Sequence, residues 1–103
     1  MSNLKDYQNR SIRLTEERLL HILTHPEMKG FELQIKIVLQ NPQIVRLSKT
    51  DNLVHLYYRY YKTTRVGAKW LCVVVKHTLN DSFVITAYLT DRLKKGVELW
   101  HNL

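Results

Sequence analysis

The sequence has few of the residues and patterns on which disulfide scaffolds, export and membrane spans depend. Its 103 residues include one cysteine, two prolines and three glycines, so an internal disulfide and a collagen-like chain are both excluded. The longest apolar run, residues 70–75, is far shorter than the roughly 20 residues of a membrane-spanning helix. The start MSNLKDYQNR has no apolar signal region. These absences predict a cytoplasmic protein without a membrane partner.

Acidic residues are also scarce. Nine Asp and Glu oppose sixteen Lys and Arg, which gives a net charge of +7 and a sequence pI near 9.7. Such a balance favours anionic partners, phosphate backbones first and an anionic membrane surface second. Hydrophobic residues make up 45% of the chain and charged residues 24%, as in ordinary globular domains. We therefore expect one folded domain over residues 1–103, with Cys72 buried as an inert thiol.

Helical patterns come first along the chain, and strand patterns follow. Thr15 is a suitable N-cap, and Glu16 and Glu17 place negative charge in the first turn of a helix that runs toward Pro26. A second helix is predicted over residues 31–40, followed by four strands over residues 43–48, 53–61, 69–78 and 83–90. Because short connections favour hairpins, the expected fold is α+β, with two N-terminal helices packed on a four-stranded antiparallel sheet.

Alternation along the predicted strands indicates a polar sheet face. The second strand carries one row of basic and aromatic residues: His55, Tyr57, Arg59 and Tyr61. The fourth strand carries a polar row: Val84, Thr86, Tyr88 and Thr90. If both rows face away from the helices, they join Lys76 or His77 in a shallow basic surface. Cations neutralise phosphates and rings stack on unpaired bases, which favours single-stranded RNA; a solvated face whose tyrosines protect β structure fits the same composition.

Two histidines lie four residues apart on the first predicted helix. His21 and His25 have the spacing of a ligand pair, but zinc normally takes three or four ligands and no partner is evident nearby, so we predict no metal site. A histidine can take and return a proton near neutral pH. His25 stands before Pro26 at a fixed helix end, which favours it over His21, for which an ordinary surface position is the better interpretation. The scattered glycines form no phosphate-binding loop, so no nucleotide cofactor is expected.

Several segments together resemble a known superfamily of small nucleases. They are RLTEERLLHILTHPEM, LVHLYYRYY, WLCVVVK and FVITAYLTDRLKKGVELW. In this order they are similar to the barnase, EndoU, colicin and RelE-like (BECR) superfamily of phage- and toxin-type nucleases, over residues 14–100. The resemblance implies a RelE/barnase-like domain that cleaves RNA without a metal or cofactor, through attack of the ribose 2′-hydroxyl on the adjacent phosphate to form a cyclic phosphate.

The resemblance also implies roles for particular residues. Catalytic candidates are His25 as general acid or base, Arg59 and Lys76 as phosphate ligands, Thr86 as a hydrogen-bond donor and Tyr88 as a donor or a stacking platform. RNA-binding candidates are His21, His55, Tyr57 and His77. The implied partners are RNA, either free or on the ribosome, and an acidic antitoxin or immunity protein. The alternative is a non-catalytic RNA- or ribosome-binding module that uses the same surface.

Overall fold

Two short α-helices and one 3-10 helix occupy the first half of the chain in the computed structural model, which describes residues 3–102. Helix α1 spans Glu16–Leu23, the 3-10 helix spans Pro26–Met28, and α2 spans Glu32–Gln40. The Thr15 hydroxyl accepts a 3.1 Å hydrogen bond from the backbone of Arg18, which confirms the predicted N-cap.

Within residues 3–102, seven strands form a single sheet. The elements are β1 (Asn3–Lys5), β2 (Ser11–Arg13), β3 (Ile44–Leu47), β4 (Val54–Tyr61), β5 (Lys69–His77), β6 (Ser82–Thr90) and β7 (Glu98–His101). Their order across the sheet is β1-β2-β6-β5-β4-β3-β7. The predicted positions of the four central strands, β3 to β6, and of both α-helices are confirmed to within about two residues.

The predicted fold class is nevertheless wrong. The sheet is mixed and curled rather than four-stranded and antiparallel, because β2 pairs in parallel with β6 through Arg13 and Phe83. The additional strands β1, β2 and β7 are each only three or four residues long. Alternation over so few residues carries little information, and these strands form because an adjacent strand offers each of them a free edge to pair with.

Each face of the sheet has its own apolar core. The larger core lies between the sheet and the helices and includes Ile22, Ile35, Tyr57 and Val73. The smaller core lies on the opposite face and includes Leu56, Tyr58, Cys72 and Val74, with Trp70, Tyr88 and Leu93 at its margin. Cys72 is buried, as predicted, and burial raises the pKa of its thiol to about 11.

A β-bulge in β6 sets which side chains reach the opposite face. Val75 pairs with Val84, but Val74 pairs with Thr86, so Ile85 is an extra residue on β6. Val84 therefore belongs to the helical core, whereas Thr86, two residues later, points to the opposite face with Val74. The predicted row of Val84, Thr86, Tyr88 and Thr90 is wrong at its first member for this reason.

Candidate nucleic-acid interface

Three of the predicted catalytic residues share the sheet face opposite the helices. Lys76 lies on the same side of β5 as Val74, Thr86 is the cross-strand partner of Val74, and Tyr88 packs against the core of this face. Neighbouring side chains on one face of an antiparallel pair stand about 4.5–8 Å apart. The Lys76 face, as we call the surface formed by Lys76, Thr86 and Tyr88, thus presents an ammonium group, a hydroxyl and an aromatic ring in that order along the sheet, with Thr86 between the other two.

The connection between β6 and β7, residues 91–97, brings a second cation to this face. The Lys94 ammonium nitrogen lies 5.6 Å from the centroid of the Tyr88 ring, within the range of a cation–π contact. The backbone of Lys94 is held by hydrogen bonds at both its N–H group and its carbonyl group. Its N–H donates to the Tyr58 hydroxyl at 3.0 Å, and its carbonyl accepts from the Arg46 guanidinium at 3.0 Å. Lys94 therefore extends from a fixed point beside Tyr88.

Lys76 and Tyr88 each carry a polar group with a distinct electrostatic setting. The Lys76 ammonium nitrogen stands 3.2 Å from a carboxylate oxygen of Asp51, and both side chains are partly exposed. The Tyr88 hydroxyl is buried, and it lies beside the thiol of Cys72. Burial raises the pKa of Tyr88, so its phenol stays protonated and remains a potential donor at neutral pH.

His25 lies next to β6, the strand that carries Thr86 and Tyr88. It is the exposed N-cap of the 3-10 helix, and both this helix and α1 contact β6. The ring of His21, one turn earlier and also exposed, has its centroid 6.4 Å from that of His25. Because Ile22 of α1 and Met28 of the 3-10 helix belong to the larger core, both histidines lie on the helical side of the sheet, whereas Thr86 and Tyr88 point to the opposite face.

Arg59 lies on the other side of the sheet. It shares the side of β4 that carries Tyr57, which belongs to the helical core, and its guanidinium donates a 2.8 Å hydrogen bond to the Asn41 carbonyl at the end of α2. The predicted open surface is therefore wrong for Arg59, which is separated from the Lys76 face by the sheet itself.

The predicted RNA-binding residues His55, Tyr57 and His77 are also on the helical side, where they meet in a polar cluster. Tyr57 is fully buried, so its ring is not available for base stacking in this structure. The ring centroids of His55 and His77 are 4.4 Å apart. The expectation that this row forms the open face is wrong because alternation shows which residues share a face without showing which face the helices cover.

Hydrogen bonds join the cluster into a chain. The Tyr57 hydroxyl donates a 2.8 Å hydrogen bond to Asp6. The same hydroxyl oxygen lies 2.9 Å from Nε2 of His77. The other ring nitrogen of His77, Nδ1, lies 2.8 Å from the Ser82 hydroxyl. Since the phenol has one proton and gives it to Asp6, it accepts from Nε2–H of His77. Nδ1 of the neutral ring is then an acceptor, so Ser82 donates to it. We call Asp6, Arg10, Tyr57, His77 and Ser82 the Tyr57 network.

Arg10 completes the network from the turn between β1 and β2. Its Nε donates to Asp6 at 2.8 Å, and the backbone N–H groups of Gln8 and Arg10 donate to the other carboxylate oxygen. Burial alone would raise the pKa of Asp6, but the hydrogen bonds from Tyr57 and Arg10 outweigh it and the pKa is lowered. Asp6 is thus a buried carboxylate held ionised by four donors, which ties the first two strands to the middle of the sheet.

Burial has the opposite consequence for the two histidines of the cluster. It lowers the pKa of His77 to about 4, with further contributions from the charges of Arg10 and His55. The pKa of His55 is lowered as well, mainly by burial. Both rings are therefore neutral at pH 7, and neither supplies positive charge for phosphate binding.

Sequence reasoning missed Lys94 on the Lys76 face and missed Asp6, Arg10 and Ser82 entirely. Lys94 lies in the charged segment of residues 91–96, which the strand pattern identifies only as the point where the fourth predicted strand ends. Asp6 and Tyr57 are 51 residues apart, and no local pattern connects them. The one available signal was the position of Asp6 in an otherwise polar N-terminal segment, which is too general to identify a buried carboxylate.

No family model, curated protein or solved structure significantly matches the chain. Within residues 3–102, no helix has both the length and the apolar character that crossing a membrane requires.

Proposed function

We propose that this protein binds single-stranded RNA on the Lys76 face and cleaves it by attack of a ribose 2′-hydroxyl on the adjacent phosphate. The observation that carries the proposal is the grouping of Lys76, Thr86 and Tyr88 on one side of the sheet, with the Lys94 ammonium beside the Tyr88 ring. The net charge of +7 supports an anionic substrate.

The reaction needs proton transfer and charge stabilisation. The 2′-oxygen forms a bond to phosphorus as its proton passes to a base, and the P–O5′ bond breaks as the leaving oxygen receives a proton. The products are a 2′,3′-cyclic phosphate and a 5′-hydroxyl. Lys76 would stabilise the charge that develops on the phosphate oxygens, and the Thr86 hydroxyl would donate a hydrogen bond to them. His25 remains the sequence-based candidate for one of the two proton transfers, although it stands on the helical side of β6.

Tyr88 is suited to base recognition. Its ring lies at the margin of the apolar core on the Lys76 face, and stacking on an aromatic ring is worth about 1–3 kcal/mol per base. An acidic antitoxin or immunity protein that covers the same basic face belongs to this proposal as the natural inhibitor.

A second candidate function is RNA binding without cleavage. It is favoured by the position of Arg59 on the helical side, because the Lys76 face then lacks one of the two predicted phosphate ligands. The ion pair of Lys76 with Asp51 also reduces the positive charge available to a transition state. Binding in both cases weakens with salt, so the chemistry of the RNA ends is what separates the two functions.

The test is incubation of the purified protein with RNA in excess EDTA, followed by analysis of the fragment ends. We expect cyclic phosphate ends from the wild type and at least about 100-fold slower cleavage by His25→Ala and Lys76→Ala. Lys36→Ala, at an exposed position on α2, is the matched control for Lys76→Ala, and His101→Ala, at an exposed position on the edge strand β7, is the matched control for His25→Ala. Full activity of either test variant removes that residue from the mechanism, and intact RNA with salt-sensitive binding favours the non-catalytic function.

A further inference from the structure

A groove opens beside the Lys76 face, between the turn that joins β3 to β4 and the end of the connection between β6 and β7. Its volume is about 830 Å³, and it is lined by residues 47–52 on one side and 95–97 on the other. A smaller cavity of about 310 Å³ shares several of these residues and reaches Leu56 in the core of the opposite face. We call the two together the Lys49 groove.

Three lysines line the Lys49 groove: Lys49, Lys94 and Lys95. All three are exposed, and none forms an ion pair among the described residues. The single carboxylate in the lining belongs to Asp51, whose charge is already compensated by Lys76 at 3.2 Å. The groove is therefore cationic, and through Asp51 it adjoins the Lys76 face.

The backbone that carries these lysines is held in place. Besides the hydrogen bonds at Lys94, the N–H of Leu47 donates to the Val97 carbonyl at 2.8 Å. Gly96 approaches the Leu47 carbonyl so closely that a Cβ atom at this position would collide with it. On the other wall, the Ser48 hydroxyl accepts from the backbone of Thr50. Fixed walls lower the ordering cost of binding an extended anionic chain.

From this geometry we infer that the Lys49 groove binds the phosphate backbone of single-stranded RNA next to the phosphate that contacts Lys76. The inference rests on the proposed function for the identity of the polymer and adds the path that the strand follows. The groove volume lies within the range of about 300–1,000 Å³ typical of ligand sites. Lysine ammonium groups bind phosphates as point charges without reading sequence, so the groove positions the strand and leaves base selection to Tyr88.

The experiment measures binding without cleavage. A fluorescent single-stranded RNA with 2′-O-methyl groups throughout lacks the attacking hydroxyl, so its dissociation constant is measured by anisotropy at several salt concentrations. The test variant is Lys49→Ala/Lys95→Ala, and the matched control is Lys36→Ala/Lys62→Ala, which removes the same charge from exposed positions outside the groove. We expect the Kd to rise at least about tenfold in the test variant and about twofold in the control.

The salt dependence supplies a second readout. Loss of two phosphate contacts reduces the slope of log K against log salt by about 1.4 for a single strand. Equal effects in the two double variants overturn the inference, because diffuse charge then accounts for binding. Inorganic triphosphate that competes at the same concentration as the oligonucleotide also overturns it, since the ligand is then a free polyphosphate.

Failure of the inference is distinguishable from failure of the proposed function. If unmodified RNA stays intact while the Lys49→Ala/Lys95→Ala variant loses affinity, the groove is supported and the nuclease activity is not. If RNA is cleaved in a Lys76-dependent manner while both double variants bind alike, the activity is supported and the groove is rejected.

Discussion

The buried hydroxyl of Tyr57 donates a 2.8 Å hydrogen bond to the carboxylate of Asp6, and through it the turn between β1 and β2 is fastened to the middle of the sheet. The same hydroxyl accepts from His77. One oxygen atom therefore links the N-terminal hairpin to β4 and β5, on the side of the sheet away from the Lys76 face.

Tyr57→Phe tests the contribution of this link to stability. The substitution keeps the ring in the core but leaves His77 without its acceptor and Asp6 with one donor fewer. We expect the free energy of unfolding to fall by about 1–3 kcal/mol, the usual cost of an unsatisfied buried polar group. Urea denaturation followed by circular dichroism measures it, with Tyr60→Phe as control: that residue is 42% exposed, and its loss should cost no more than about 0.5 kcal/mol. Equal stability of the Tyr57→Phe variant and the wild type contradicts the prediction.

The lowered pKa of His77 predicts a loss of stability in mild acid. The pKa is about 4 in the folded chain and 6.5 in the unfolded one, so the folded state favours the neutral ring. The contribution of the network is therefore complete above pH 6.5 and is lost as the pH falls toward 4. The pKa of His55 is also lowered, so protonation of its ring likewise destabilises the folded state as the pH falls. The pKa of Asp6 is lowered from 3.8, so the stability that its ionised carboxylate contributes is lost at still lower pH.

Thermal unfolding between pH 4 and 7 checks this expectation. The Tm of the wild type should decline on acidification, and the decline should be shallower in His77→Gln, which has no group to protonate at this position. His21→Gln, at an exposed site on α1, should follow the wild type. If the His77→Gln profile is as steep as the wild-type profile, another group is responsible for the acid sensitivity.

The structure also shows why the sequence predicts the elements well and the site only in part. Long strand-forming segments bounded by turn residues define β4, β5 and β6, whose positions are confirmed. Alternation also separates Lys76 from His77 correctly, since the two lie on opposite faces. It leaves open which face the helices cover, and that choice depends on long-range contacts such as Tyr57 with Asp6. The bulge at Ile85, which turns Thr86 toward Lys76, has no local signal.

Gly96→Ala tests whether the backbone of the β6–β7 connection shapes the Lys49 groove. A Cβ at this position collides with the Leu47 carbonyl, so the connection must shift away from β3. We expect a loss of about 1–3 kcal/mol in stability and weaker binding of the 2′-O-methyl RNA. Gly67→Ala is the contrast: its positive φ of 92° makes alanine unfavourable by about 1–2 kcal/mol, but open space surrounds it. RNA affinity should therefore fall in Gly96→Ala alone, and an equal fall in both variants contradicts a role for the connection.

Asp51→Asn tests how the ion pair with Lys76 restrains RNA binding. Asparagine keeps the side-chain oxygen that accepts from the backbone of Leu53 at 2.9 Å, so the turn is preserved while the negative charge disappears. The Lys76 ammonium, which lies 3.2 Å from that carboxylate, then becomes free to pair with a phosphate. We expect the Kd for the 2′-O-methyl RNA to fall about two- to tenfold, and the slope of log K against log salt to steepen by about 0.7 as one further phosphate contact forms.

The matched control for Asp51→Asn is Asp91→Asn, which removes the same charge from the ion pair with Lys69. Lys69 and Lys76 stand at opposite ends of β5, about 24 Å apart at 3.4 Å per residue. That distance exceeds the Debye length of about 8 Å at physiological salt, so a charge change at Asp91 should not alter a phosphate contact at Lys76. A larger gain of affinity in Asp51→Asn therefore identifies Lys76 as a phosphate ligand that the carboxylate of Asp51 occupies in the free protein. Equal gains of affinity in the two variants mean that net charge alone governs binding. Lys76 is then not a phosphate ligand of the interface.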